Sequence, residues 1–149
     1  MEKIKVYLDM DGTIADLYGK QNWLECLRNE KDNTFSDLRP LITQEELLKM
    51  FPEKEYDIRI LSMTPLGASK PFCEKVIEEK NAWLDKYFPV LRKRIYQKYG
   101  HNKNVKNSAN AILVDDNEII RKSWKGIALN PAQLWRYNYE LWRNFKSIK

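Results

Sequence analysis

The sequence predicts a three-layer α/β/α fold built on a mainly parallel sheet, and three observations carry that prediction. Short runs rich in β-branched residues alternate with longer stretches of helical periodicity, which is the pattern of βαβ units. The clearest of those runs stop on acidic or hydroxyl residues, Asp9, Ser62 and Asp115, as strands do where they open into loops at one edge of a sheet. A length of 149 residues is about that of one domain, and long enough to bury a core without disulfides or a structural metal.

The elements follow in order. Lys3 to Leu8 (KIKVYL) is the first strand, and it stops at Asp9-Met10-Asp11-Gly12-Thr13. From about Asp16 to Arg28 the apolar residues Leu17, Trp23, Leu24 and Leu27 recur at helical spacing, and Lys31 to Thr34 is turn-like. Thr43-Gln44-Glu45-Glu46 is a capping box that opens a short helix through Leu47, Leu48 and Phe51. Asp57 to Leu61 is the second strand, closing on Ser62. A long helix runs from about Lys70 to Tyr87, opened by Pro71, with Phe72, Val76, Trp83, Leu84 and Tyr87 on one face. Arg94 to Gln97 is a weak third strand. Ala111 to Val114 is a fourth, continuously apolar as a strand buried on both faces should be. Glu118 to Trp124 is a short helix and Ile127 to Leu129 a fifth strand. Asn130-Pro131 then caps a last helix carrying Leu134, Leu141, Phe145 and Ile148. No repeat or linker divides the chain, so residues 1–149 read as one domain. Residues 15–56, between the first two strands, leave room for a small helical cap insert.

Composition narrows the function classes. With 43% apolar residues, 12% aromatic, 32% charged, 5 Gly and 6 Pro, the chain is neither collagen-like, low-complexity nor disordered. No apolar run reaches the length of a membrane span, and the N-terminal run is too short for a signal peptide. Two well-separated cysteines and one His exclude a zinc site and suit a reducing compartment, so a cytoplasmic location is expected, with no membrane partner. The excess of 26 basic over 21 acidic residues, +5 at neutral pH, suits a phosphate-bearing partner. Nucleic acid belongs to that class, and a non-catalytic module binding it through basic surface is the alternative reading. Nothing in the sequence signals an oligomeric state.

The chemistry lies where the strands end. In a parallel sheet ligands bind outside the carboxyl ends of the strands, near the point where strand order reverses. Asp9 and Asp11, Ser62, and the pair Asp115-Asp116 all fall there, with Lys103 and Lys106 in the polar stretch before the fourth strand. Asp9, Asp11, Asp115 and Asp116 in one place repel one another unless a cation joins them or some hold protons. A hard divalent ion such as Mg²⁺ resolves the conflict and commonly binds carboxylates together with substrate phosphate. A carboxylate can also be a nucleophile that forms an aspartyl-phosphate, with a second acid two residues on moving the proton. Ser62 and a lysine can hold the phosphoryl oxygens, and Gly12 allows a sharp turn with backbone N–H groups close to phosphate.

Asp9-Met10-Asp11-Gly12-Thr13, Ser62 after an apolar strand, an upstream lysine and Leu113-Val114-Asp115-Asp116 resemble, in order and spacing, the four motifs of the haloacid dehalogenase-like phosphohydrolases. The segments DMDGTIADL, Glu79-Lys80-Asn81-Ala82-Trp83-Leu84 and ILVDDN resemble the 5'(3')-deoxyribonucleotidase-like branch and its small bacterial and phage relatives. That resemblance implies a Rossmann-like sheet with the first and fourth strands adjacent, and a Mg²⁺-dependent phosphatase acting on a small phosphorylated metabolite, a nucleotide being the leading class. It implies Asp9 as nucleophile and Asp11 as general acid/base, Ser62 and Lys103 as phosphate ligands, and Asp9, Asp11, Asp115 and Asp116 around the metal. Asp11 would offer its backbone carbonyl. The second motif departs from the branch's usual pair of adjacent hydroxyl residues before Pro, reading Ser62-Met63-Thr64-Pro65. Ser62, directly after the apolar run, is preferred to Thr64, and Lys103, after Gly100-His101-Asn102, to Lys106. A response-regulator-like receiver fits worse, since its acceptor Asp ends a later strand and a Lys ends its fifth.

Other features have plainer explanations. Lys80, within Glu78-Glu79-Lys80, reads as helix surface, and His101 as loop surface. Trp135, Tyr139 and Trp142 read as a packed helix face. Tyr18, Trp23 and Phe35 in the insert are candidates to stack on a base, although packing the insert's own core is the simpler role.

Overall fold

Ile4–Leu8 (β1), Tyr56–Thr64 (β2), Arg94–Lys98 (β3), Ile112–Val114 (β4) and Ile127–Leu129 (β5) hold the β-branched and aromatic runs of the chain. The computed structural model describes residues 2–136, and among these the five strands make one all-parallel sheet in the order β3-β2-β1-β4-β5. This is a Rossmann-like α/β fold. Strand order runs outward from β1 through β2 to β3, then returns to the other side of β1 for β4 and β5. The reversal therefore falls between β1 and β4, where Leu8 is paired with Val114. Asp9 and Asp115 are each the next residue, so register alone makes them neighbours at the carboxyl edge.

The side-chain period of two divides each strand between two cores. Val6, Leu8, Ile58 and Ile60 face a large cluster with Phe72, Val76, Trp83 and Leu84 of the long helix α3 (Lys70–Tyr87). Tyr7, Leu61 and Leu113 face a smaller cluster with Ile120 and Trp124, from and just after helix α4 (Glu118–Ser123). Helices thus cover both faces. Ser69 caps α3, accepting from Phe72 N, with Pro71 in the first turn, where an N–H has no partner to lose. The last described turn, Ala132–Arg136, brings Trp135 into the core, where its indole N–H donates to the Thr13 carbonyl at 2.9 Å. The rest of the expected last helix, with Tyr139, Leu141, Trp142, Phe145 and Ile148, lies outside the described residues. No helix among them is long and apolar enough to cross a membrane.

Between β1 and β2 are two short helices, α1 (Trp23–Arg28) and α2 (Gln44–Met50). The expected helix from Asp16 is shortened because its first residues are engaged otherwise. Asp16 Oδ1 accepts from Gly19 N at 3.0 Å, Ala15 bridges to Asp11 and Pro40, and Asn22 takes a left-handed conformation (φ 58°) before Trp23. The Thr43–Glu46 capping box forms as expected. Leu47 and Phe51 join the large core, and Phe51 meets Tyr56 edge-on at 5.2 Å. β2 is the second departure, running on to Thr64. Beyond Ile60, which is level with the end of β1, it stays a strand because β3 pairs with it as far as Thr64↔Lys98.

Candidate active site

The β1 edge turns at once. Gly12 has φ 79°, and a Cβ there would collide with the Asp116 carboxylate and lie 2.7 Å from the Tyr18 ring. Only glycine lets the chain double back this close to the opposite loop. Thr13, fully buried, donates through Oγ1 to Asp9 Oδ2 at 3.2 Å, with Asp116 Oδ1 at 3.4 Å. β1 and β4 thus bring Asp9, Asp115 and Asp116 together, each with one oxygen within 4.8 Å of the others.

Lys103 comes from the loop after β3 and is 2% exposed. Its three ammonium protons are matched by Asp9 Oδ1 at 2.8 Å, Asp115 Oδ2 at 2.7 Å and the Leu61 carbonyl at 2.7 Å. Burial lowers its affinity for the proton, but the Asp9 and Asp115 charges outweigh that and hold the ammonium form above its ordinary range. Lys106 is exposed, as is His101. Of the two candidate lysines, Lys103 is the one at the carboxylates.

One lysine does not balance the cluster. Burial and the Asp9 charge push Asp115 up to about 6, against the pull of Lys103. The same two causes push Asp116 up to about 8. These are the marks of hard oxygen donors crowded together with too little positive charge, and such a set suits a hard divalent cation. Asp9, Asp115 and Asp116 could hold it. Asp11, also expected around the metal, does not add its carboxylate to this triad.

The Asp11 carboxylate turns instead to Lys80, and two expectations are corrected there. Lys80 is not helix surface. It is fully buried, donating to Asp11 Oδ2 at 3.0 Å, Ser62 Oγ at 2.8 Å and the Met63 carbonyl at 3.0 Å, with its ammonium 4.8 Å from the centre of the Phe35 ring. Burial raises the Asp11 pKa against the lowering by Lys80, with Asp9 adding to the rise. Ser62, expected at the strand end, is also fully buried, beneath Lys80, and does not line the cavity. Because β2 runs two residues further, Thr64 is the next residue on the same face and lines the cavity, its Oγ1 donating to the Gln97 carbonyl at 3.4 Å. The signal for Lys80 was present in the sequence: it continues the stripe Phe72, Val76, Trp83, Leu84 at i+4 from Val76, and a lysine on an apolar stripe needs buried acceptors.

Above the carboxylates opens a cavity of about 460 Å³, within the range of small-molecule sites. Its floor is Asp9, Asp11, Lys103, Asp115 and Asp116, and its walls are mostly apolar: Leu17, Tyr18, Trp23, Leu24, Leu27 and Phe35 from the insert, Met63, Pro65 and Leu66 from β2 and its end, and Tyr99. Tyr18 is half exposed and meets Trp23 edge-on at 4.9 Å. Burial and the carboxylates below, Asp116 foremost, keep its phenol protonated. Phe35 is buried against Lys80, so of the three stacking candidates it combines wall with core. No protein-family model and no curated protein matches the chain.

Proposed function

We propose that the chain is a Mg²⁺-dependent phosphomonoesterase of the haloacid dehalogenase type, acting on a small phosphorylated metabolite, with nucleotides the leading substrate class. The observation that carries this reading is the Asp9 carboxylate at the floor of an open cavity, held at 2.8 Å by the buried Lys103 ammonium and faced by Asp115 and Asp116. A purely structural ion pair needs neither the extra carboxylates nor the cavity.

In the reaction, a carboxylate oxygen of Asp9 attacks phosphorus, and the Asp9–phosphorus bond forms as the bond to the leaving oxygen breaks. Asp11 gives a proton to that oxygen, releasing the alcohol. Water then attacks the phosphorus, its proton passes to Asp11, and the Asp9–phosphorus bond breaks to free phosphate. Asp11 suits this work because Oδ2 is engaged by Lys80 while Oδ1, buried, has no hydrogen-bond partner among the described residues. Lys103 is already held against the nucleophile, and Thr64, which lines the cavity, can turn its hydroxyl from the long bond to the Gln97 carbonyl toward a phosphoryl oxygen. Mg²⁺ held by Asp9, Asp115 and Asp116, with the Asp11 carbonyl, would neutralise the carboxylates and withdraw charge from the phosphoryl group.

With its charge neutralised by a divalent cation, the acidic floor under apolar and aromatic walls would suit a phosphate ester with a flat, weakly polar body, and a nucleotide fits that description. Residues 15–56 then act as the cap that supplies one wall. The free thiols Cys26 and Cys73 agree with a cytoplasmic location. Phosphate release from nucleotides, sugar phosphates and phospholipid head groups, with and without Mg²⁺, tests the reading. Turnover should need the metal and drop to background in Asp9→Asn, because an amide is not a competent nucleophile. Substantial hydrolysis by that variant would exclude the aspartyl-phosphate route.

A further inference from the structure

Lys80 is more heavily committed than a core lysine needs to be. Its three ammonium protons have three acceptors, Asp11 Oδ2, Ser62 Oγ and the Met63 carbonyl, all at 2.8–3.0 Å, and none of its surface is exposed. Two of those acceptors belong to β2, and the ammonium also faces the Phe35 ring. The remaining bond goes to a carboxylate on a turn that has just left β1. That carboxylate belongs to a residue lining the cavity, and its other oxygen, Oδ1, is buried with no hydrogen-bond partner among the described residues. A carboxyl group free to rotate about its side-chain bonds presents either oxygen in many directions; one anchored through Oδ2 presents Oδ1 in one.

We propose that Lys80 is a positioning residue, which holds Asp11 through Oδ2 on a buried ammonium fixed to Ser62 and Met63 and so fixes the orientation in which its carboxyl group meets the leaving oxygen of the substrate. This rests on the phosphomonoesterase reading above. Lys80 touches neither substrate nor metal in this role. Its contribution is orientation, the kind of effect in which small misplacements cost large factors in rate.

The test separates orientation of the acid from general damage by using the leaving group. Nitrophenolate departs without needing a proton, whereas an alkoxide needs one from Asp11. The quantity read is kcat/KM, which covers the steps through phosphorylation of Asp9 and excludes the later hydrolysis. Wild type, Lys80→Met, Asp11→Asn and the double variant are compared with Mg²⁺ on p-nitrophenyl phosphate and on the best alkyl ester from the screen. General acid catalysis contributes about 10²–10⁴-fold. Lys80→Met should therefore lose about 10²-fold or more on the alkyl ester and under about 10-fold on the aryl ester. In the Asp11→Asn background the same substitution should leave the alkyl-to-aryl ratio unchanged. Equal losses on both esters in a folded Lys80→Met would overturn the positioning role and leave the function standing. If Lys80→Met does not fold, the ratio is read on Lys80→Gln, whose shorter amide keeps donors for β2. It should fall there too, and an unchanged ratio overturns the role. Wild type that hydrolyses neither ester, or only the aryl one, overturns the acid role of Asp11 and the role of Lys80 with it.

Discussion

Two buried lysines divide the acidic cluster between them, and the division assigns each an effect. Lys103 joins Asp9 to Asp115 across the β1–β4 seam, while Lys80 joins Asp11 to β2. Lys103→Ala would leave two carboxylates facing each other with no ammonium between them and, on the proposed mechanism, remove the donor held against the nucleophile. Turnover at saturating substrate should fall about 10²-fold or more, as for loss of one preorganised donor. Lys106→Ala, at an exposed position, should change little beyond capture of an anionic substrate. The reverse ranking in the same assay would move the phosphate-binding role away from Lys103. Of the residues at the site, Asp9, Asp11, Asp115 and Asp116 were legible because they fall in the short acidic runs that open where β1 and β4 end. Lys80 was legible only as a lysine on an apolar stripe, which does not name its acceptors, and Thr64 was not legible, because a strand's end depends on whether a neighbour keeps pairing.

Helix α3 ties the insert to the sheet, through contacts of different strength. Glu79 accepts from Asn33 N at 2.9 Å and Phe35 N at 3.0 Å, and Trp83 donates from its indole to the Leu38 carbonyl at 2.8 Å. Glu30 holds the start of α3 through Ser69, and Lys75 pairs with Asp32 at the exposed rim. A carboxylate serving two backbone N–H groups, one part-buried, is worth more than an exposed ion pair. Glu79→Ala should cost roughly 1–3 kcal/mol in urea unfolding, and Lys75→Ala, which breaks only an exposed pair, clearly less. Equal effects would mean that the insert is held by its apolar residues alone. The α3 register was plain from its apolar stripe and capping residues. The insert's first helix was overextended, since periodicity cannot register that the backbone of Ala15 and the side chain of Asp16 are engaged elsewhere.

For the whole molecule, the crowded carboxylates should make stability depend on pH and, with the proposed cation site, on Mg²⁺. Asp115 and Asp116 titrate higher when folded, about 6 and about 8, than the ordinary 3.8 of the unfolded chain. Between those limits the folded chain binds more protons than the unfolded one, so their contribution to stability falls as pH rises from about 4 to about 8. Without metal, wild type should lose thermal stability over that range relative to Asp116→Asn. Mg²⁺ should raise Tm, and more at pH 8 than at pH 5, by an amount set by roughly 2.7 kcal/mol at a hundredfold excess over Kd. A Tm indifferent to Mg²⁺ at pH 8 would exclude the cation site. The sequence by itself determined the alternation of strands and helices, the strand-end carboxylates and the two-sided sheet, since these follow from side-chain period and local turn chemistry. It also singled out Lys103, through the turn-prone residues before it. Only the tertiary structure decided that β2 runs to Thr64, that Ser62 is covered and that Lys80 points inward. Those outcomes depend on pairing with β3 and packing under α3, which are contacts between segments far apart in the chain.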